Sequence, residues 1–337
     1  MTEWSKDKEK RVLWKYRFLL TARIIRVVLI LLFLYGVYMI LLSIGYDSTK
    51  LDDKNAYHVN LAIDWTQPGL QGEYARPLSG KITPFLSQTI TIPISRTIGK
   101  EEQIVGEWDV TKRLLNTLSS KETIYFQRSS NQQFGFILPE DPRTGKKLAG
   151  VTKRADLQEW QKLEMVHEGT VANLAFSTSN FLKPEELLER LEKYDLDVQW
   201  MPLYAGELKA FKPAWTSTDG GENVSVDTLG LTRAVEMDED YKSWSMLMLD
   251  SNTIQENQKI MLKNMKELIE DESETYRQNV LGLWYMEERY EYISENGFLV
   301  YGAVVSGPVK ELLKLKEEPD FRNVRVGEFE YWNWTTE

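Results

Sequence analysis

No cysteine occurs in the 337 residues, and only two histidines do. Without thiols there is no disulfide framework, no thiolate zinc site, no cysteine nucleophile and no thiol redox chemistry. A domain of this size must then rest on its own core, which 42% hydrophobic residues and 11 tryptophans can supply. The scarcity of histidine removes further chemistry. His167 stands in "MVHEGT", which lacks the second histidine of an H-E-x-x-H zinc site, and His58 reads as a structural or surface residue. No G-x-S-x-G occurs, and Gly145-Lys146 lacks the spacing of a phosphate loop. The sequence therefore assigns no catalytic residue, no metal ligand and no cofactor, and the chain is not expected to be an enzyme.

Other absences shape the N-terminus. No glycine or proline interrupts Asp7 to Tyr35, and no charge interrupts the 19 residues from Val27 to Gly45. That apolar run carries only two tyrosine hydroxyls and the Ser43 hydroxyl as polar side-chain groups. As a helix it is roughly 28 Å long, close to the thickness of a bilayer core. A cleaved signal peptide is the competing reading, but the run exceeds the usual length of about 7 to 15 residues for such a segment. We expect one transmembrane helix over 24–46, continuous with a basic tail over 1–23.

Eight lysines and arginines against three acidic residues give +5 up to Arg26, which leaves −15 on the rest of a chain of net charge −10. By the positive-inside rule the N-terminus is cytoplasmic and the acidic remainder lies outside the plasma membrane. An acidic outer part argues against nucleic acid as a partner. On the tail, helical spacing gives an apolar stripe whose candidate partner-binding residues are Leu13, Tyr16 and Leu20. A lipid-hugging basic helix and a docking helix for a protein remain alternatives.

The remainder reads as α+β. Residues 47–55 look like a polar stalk, and 47–150 like a β-rich membrane-proximal region in which "YHVNLAIDW", "TITIPIS" and "KETIYFQR" are strands. "LPEDPRTGKKLAG" is a turn-rich separator. Within 151–337 a β-α-β pattern occurs twice, "NLAFSTSNFLKPEELLERLEKYDLDVQWMPL" and "LVYGAVVSGPVKELLKLKEEPDFRNVRVGEFE", with Pro184 and Pro308 suited to first helical positions. Two such units are the ingredients of a ferredoxin-like split βαβ module. Two helices lie between them, one opened by a Thr253–Glu256 capping box and one running from Ser273 to Asn296 and stopped by Gly297. The terminal "FEYWNW" is expected to close the edge of the core, with glycan stacking as the alternative.

Several strings taken together resemble the bacillar sigma-factor regulator family. They are "VLWKYRF…RIIRVVLILLFLYGVYM" from Val12 to Met39, "LPEDPRTGKKLA", "KLEMVHEGTVANLAFST", "PEELLERLEKYDLDVQWMPLY", "YGAVVSGPVKELLKL" and the final "EYWNW". The resemblance covers nearly the whole chain from about residue 11, and none of its strings is a catalytic motif. It implies a single-pass membrane anti-sigma factor with an extracytoplasmic sensing domain. The partner it implies is an extracytoplasmic-function sigma factor, held directly or through a membrane partner subunit, beside the lipid bilayer. An envelope protein that binds cell-wall polymer or another surface protein is the alternative function.

Overall fold

The computed structural model describes residues 6–74, 80–113, 118–126, 134–150, 153–167, 169–220 and 222–334. Its first element is α1 (Lys6–Thr49), one unbroken helix of 44 residues, as the lack of glycine and proline up to Tyr35 leads one to expect. At 1.5 Å per residue it is about 66 Å long. Of its described side chains only Tyr46 is buried. Lys50 takes a left-handed conformation (φ 53°), and α2 (Leu51–Thr66) starts in a new direction immediately after it.

Here two expectations are corrected. The polar stalk over 47–55 and the strand over 57–65 are instead the end of α1 and most of α2. Every residue from Asn55 to Trp65 is buried. A helix covered on all sides needs no polar face, so its 3.6-residue period is absent from the sequence. The polar residues that mimic a strand's alternation are met inside the protein, His58 by Glu272 and Asp64 by the Gly72 N–H and the Tyr74 hydroxyl.

Against α2 lies an antiparallel meander of β1 (Ser87–Ile98), β2 (Glu101–Arg113) and β3 (Ser120–Tyr125), extended by two-residue strands at Gln71–Gly72 and Lys81–Ile82 that both pair with β1. "TITIPIS" is thus a strand as expected, and "KETIY" forms most of β3, while Gln127 and Arg128 lie outside the described residues. Ile90, Ile92, Ile94, Trp108 and Val110 form its buried face and share a core with Val59 and Ile63 of α2.

The second sheet contains both repeats. After α3 (Lys153–Glu164), β4 (Thr170–Leu182), α4 (Pro184–Leu191) and β5 (Asp197–Leu203) form the first unit. An excursion through β6 (Leu229–Thr232), α5 (Ile254–Asp271) and α6 (Met286–Asn296) leads to the second unit, β7 (Val300–Pro308), α7 (Val309–Lys314) and β8 (Phe321–Tyr331). The strand order is β6-β5-β7-β4-β8, with every neighbouring pair antiparallel. Each crossover skips one position and the first strand of the other unit fills it, so the two units interleave in one sheet. Phe176, Val304 and Val326 are buried there, and Val198 and Leu299 are half-buried. Leu187, Leu188 and Leu191 of α4 and Leu312 of α7 belong to the same core as Leu174 and Phe176 of β4. That core also includes Ile92 and Val59, so residues on both sides of the 138–150 segment are packed together. The segment itself is a small hairpin pairing Glu140–Asp141 with Lys146–Lys147. Leu138 and Leu148 anchor it in a second core with Trp200, Tyr301 and Val304.

Three details depart from expectation. Thr253 precedes α5, but no capping box forms. The Asp250 carboxylate accepts the Asn252 and Thr253 N–H groups, the Thr253 hydroxyl donates toward the Met248 carbonyl, and Glu256 pairs with Lys259. The second intervening helix is broken into a turn at Glu274–Tyr276, a π-helical turn at Arg277–Leu281, and α6. The break falls at Gly282, whose φ of 76° is open to a residue without Cβ, and it lets Leu281, Leu283 and Met286 all reach the core. Pro308 ends β7 and precedes the first turn of α7 rather than lying within it.

Candidate functional site

Leu13, Tyr16 and Leu20 fall on one face of α1 by their i, i+3, i+7 spacing, and their exposures are 51%, 70% and 60%. Ile24 and Val27 carry the same stripe toward the apolar run, and both are exposed. Beside it Trp14 and Phe18 stack with ring centroids 6.0 Å apart. The structure therefore brings the three sequence candidates together, and no other described part of the chain covers them. A helix with a bare apolar stripe between cationic side chains can lay that stripe into a partner's groove or onto lipid.

The opposite end of α1 is tied down. Tyr46 is buried, and Lys50 forms an ion pair with Asp240 and donates to the Glu239 carbonyl. Higher up, the Tyr38 hydroxyl donates to the Pro84 carbonyl at 2.7 Å, which places the neighbouring Phe85, 87% exposed, beside the apolar helix. From this junction α2 runs into the protein and meets the second sheet. The Trp200 indole N–H on β5 donates to the Asp64 carbonyl at 3.0 Å. In a continuing helix that carbonyl would accept from residue 68, but Pro68 has no N–H, so the indole satisfies an acceptor the helix cannot.

Charged groups lie unusually deep around α2. Asp64 accepts from the Gly72 N–H at 2.7 Å and the Tyr74 hydroxyl at 3.1 Å, with the Arg233 guanidinium at 3.5 Å. Burial pushes its carboxyl above the usual range although Arg233 and these donors pull it down. Near the start of α2, His58 Nδ1 lies 2.8 Å from Glu272, whose carboxylate also receives the Lys112 ammonium at 2.6 Å. Burial raises Glu272, but the His58 hydrogen bond and Lys112 outweigh it and hold the carboxyl below its usual value. One ring nitrogen of His58 and one carboxylate oxygen each of Glu267 and Asp271 lie within 4.8 Å of one another. Sequence reading missed this grouping. Glu267 and Asp271 have a visible i, i+4 spacing, but the sequence pattern puts His58 on a strand and gives it no position relative to them.

The remaining sequence candidates resolve simply. His167 is exposed and accepts the Gly169 N–H, and Glu168 lies outside the described residues. In the terminal aromatic stretch Trp334 is buried with Ile98 and Val171 and donates to Asp195, and Asn333 bonds the β1–β2 turn at Ile98 and Lys100. That part closes the core edge as expected, while Phe329, Tyr331 and Trp332 stay exposed on or just beyond the edge strand β8.

Two family models match parts of this chain. Residues 10–103 match the family model described as sigma factor regulator N-terminal, and residues 163–328 match that described as sigma factor regulator C-terminal. The chain is 41% identical over 49 residues to the probable anti-sigma-M factor YhdL of Bacillus subtilis (strain 168). That stretch covers 14% of this chain and 14% of the relative, so the match spans a small part of the relative's length. No solved structure matches.

Proposed function

The chain belongs to the sigma factor regulator family, and from that premise we propose that it is a single-pass membrane anti-sigma factor. Its tail, 1–23, lies in the cytoplasm, 24–46 crosses the plasma membrane, and the parts at 47–150 and 151–337 lie outside and sense the state of the envelope. The positive excess before Val27 supports this orientation, and the role printed for the Bacillus subtilis relative supports the activity. The interleaved order of β5, β7, β4 and β8 supports a ferredoxin-like reading of the C-terminal module.

The observation that carries the proposal is the bare stripe of Leu13, Tyr16 and Leu20 on a helix that continues through the apolar run without a break. We assign that stripe to an extracytoplasmic-function sigma factor. A standard interface takes about 20 to 30 residues from each side, so the stripe supplies part of that surface and a membrane partner subunit can supply more. Transcription of the sigma factor's regulon tests the assignment. Leu13→Asp or Tyr16→Asp should raise it, and removing charge at Lys10, Arg11 and Lys15 should not. Unchanged transcription in both aspartate variants, with the protein present in the membrane, overturns it.

A second reading rests on Phe329, Tyr331 and Trp332, whose exposed rings at a sheet edge suit stacking on a cell-wall glycan without any transcriptional role. It predicts retention on insoluble peptidoglycan that is lost in Tyr331→Ala and Trp332→Ala. It fails if the intact chain is not retained.

A further inference from the structure

A buried histidine with one nitrogen satisfied and the other bare is the starting point. The His58 side chain is 1% exposed, and its Nδ1 faces the Glu272 carboxylate at 2.8 Å. The Glu272 carboxylate, which also receives the Lys112 ammonium, is the partner of Nδ1, so Nε2 is the ring nitrogen left without one. Nε2 is buried and has no hydrogen-bond partner among the described residues. A ring nitrogen of His58 lies within 4.8 Å of carboxylate oxygens of Glu267 and Asp271, and Nε2 is the one with no other partner. Three ligand-type atoms this close, on a histidine whose Nε2 is buried without a partner and on two carboxylates, make a set that a cation can bridge.

We propose that His58, Glu267 and Asp271 form a binding site for a divalent transition cation of the zinc type. The donor set, one imidazole nitrogen and two carboxylate oxygens, is that of a three-ligand zinc centre with a fourth position open to water. Bonds of about 2.0 to 2.2 Å put tetrahedral ligands roughly 3.4 Å apart, so the three groups must draw together by about an ångström. Half-buried Glu267 and exposed Asp271 have the freedom to do this. Glu272 orients the imidazole from behind, as the outer carboxylate does in histidine-ligated metal sites. The Lys54 ammonium now pairs with Asp271, and the Tyr241 hydroxyl donates to Glu267. Lys54 is the internal competitor, one helical turn before His58 on α2 and able to swing into solvent. Because α2 follows α1 directly, a bound cation would fasten the membrane helix to α5.

The test is calorimetric titration of zinc into the metal-free full chain in detergent, with magnesium as the control and thermal unfolding read in parallel. The expected result is one zinc per chain, a raised unfolding temperature and no response to magnesium, which prefers an all-oxygen shell. Asp271→Asn should weaken zinc binding at least tenfold. Lys54→Met should strengthen it, because the competing cation is gone. Both sites are partly exposed, so these variants keep the test open even where His58→Gln fails to fold. The absence of zinc binding, equal binding by Asp271→Asn, or weaker binding by Lys54→Met each overturns the proposal. The readout needs no sigma factor, so its failure leaves the proposed function untouched.

Discussion

Trp200→Phe tests how the second sheet is joined to α2, the helix that follows α1. The indole is 1% exposed, stacks on Phe136 with centroids 5.4 Å apart, and satisfies the Asp64 carbonyl that Pro68 leaves open. Phenylalanine keeps the stack and loses the donor, and leaving that buried acceptor unmet costs about 1 to 3 kcal/mol. A residual void of ~40 Å³ at about 24 cal/mol per Å³ adds about 1 kcal/mol. The expected loss is therefore about 2 to 4 kcal/mol, read as a lower urea midpoint at constant slope for the full chain in detergent. Gly230 on β6 supplies an internal check. A Cβ there would stand 1.9 Å from an indole carbon of Trp200 and 2.4 Å from its nitrogen. Gly230→Ala should destabilise the native protein by about 1 to 3 kcal/mol through overpacking. In the Trp200→Phe background, where the nitrogen-bearing ring is gone, the cost should fall by about 1 kcal/mol or more. A Trp200→Phe loss under about 0.5 kcal/mol, or an alanine cost identical in the two backgrounds, would refute the reasoning.

Removing Arg233 leaves Asp64 as a buried unpaired carboxylate, so Arg233→Met should cost about 3 to 5 kcal/mol at neutral pH. Because the folded pKa of Asp64 lies above its unfolded value, its contribution to stability is present below the unfolded pKa and lost as pH rises through the folded one. The deficit of the variant in urea titrations should accordingly be smaller at pH 5 than at pH 8, and a deficit that grows on acidification would be contrary. For topology, a reporter active only in the cytoplasm should work when fused before residue 20 and be silent when fused after Gly45, and activity at both places would remove the span. If the bilayer surrounds the apolar helix over 24–46, the bond from Tyr38 to the Pro84 carbonyl sets Phe85 within its outer leaflet. In vesicles an environment-sensitive dye attached at Phe85→Cys should then emit at shorter wavelength than the same dye at exposed Ser217→Cys, and equal emission would place the loop in water.

How much was legible depended on whether burial was one-sided. The two β-α-β units could be read because Pro184 and Pro308 mark the strand-to-helix passages and the leucine pairs after them point one way onto the sheet. The continuity of α1 followed from the lack of helix breakers up to Tyr35, and a run apolar on every side needs no period. Burial on every side hid α2, because Asn55, His58 and Asp64 on it are met by groups from elsewhere in the fold. The break at Gly282 was masked because the residues around it are apolar whether or not the helix continues. The stripe of Leu13, Tyr16 and Leu20 needed only helical spacing and was readable. The grouping of His58 with Glu267 and Asp271 needed the fold, since α2 and α5 are far apart in sequence.

Co-purification addresses the central claim most directly. The full chain, extracted in mild detergent from cells that express the sigma factor, should retain that factor, alone or with its membrane partner subunit. The Tyr16→Asp chain, extracted in equal amount and equally folded, should retain little. Equal recovery of sigma factor by the intact and Tyr16→Asp chains would contradict the assignment of the tail stripe. Recovery by neither, with or without the partner subunit, would contradict sigma-factor binding itself.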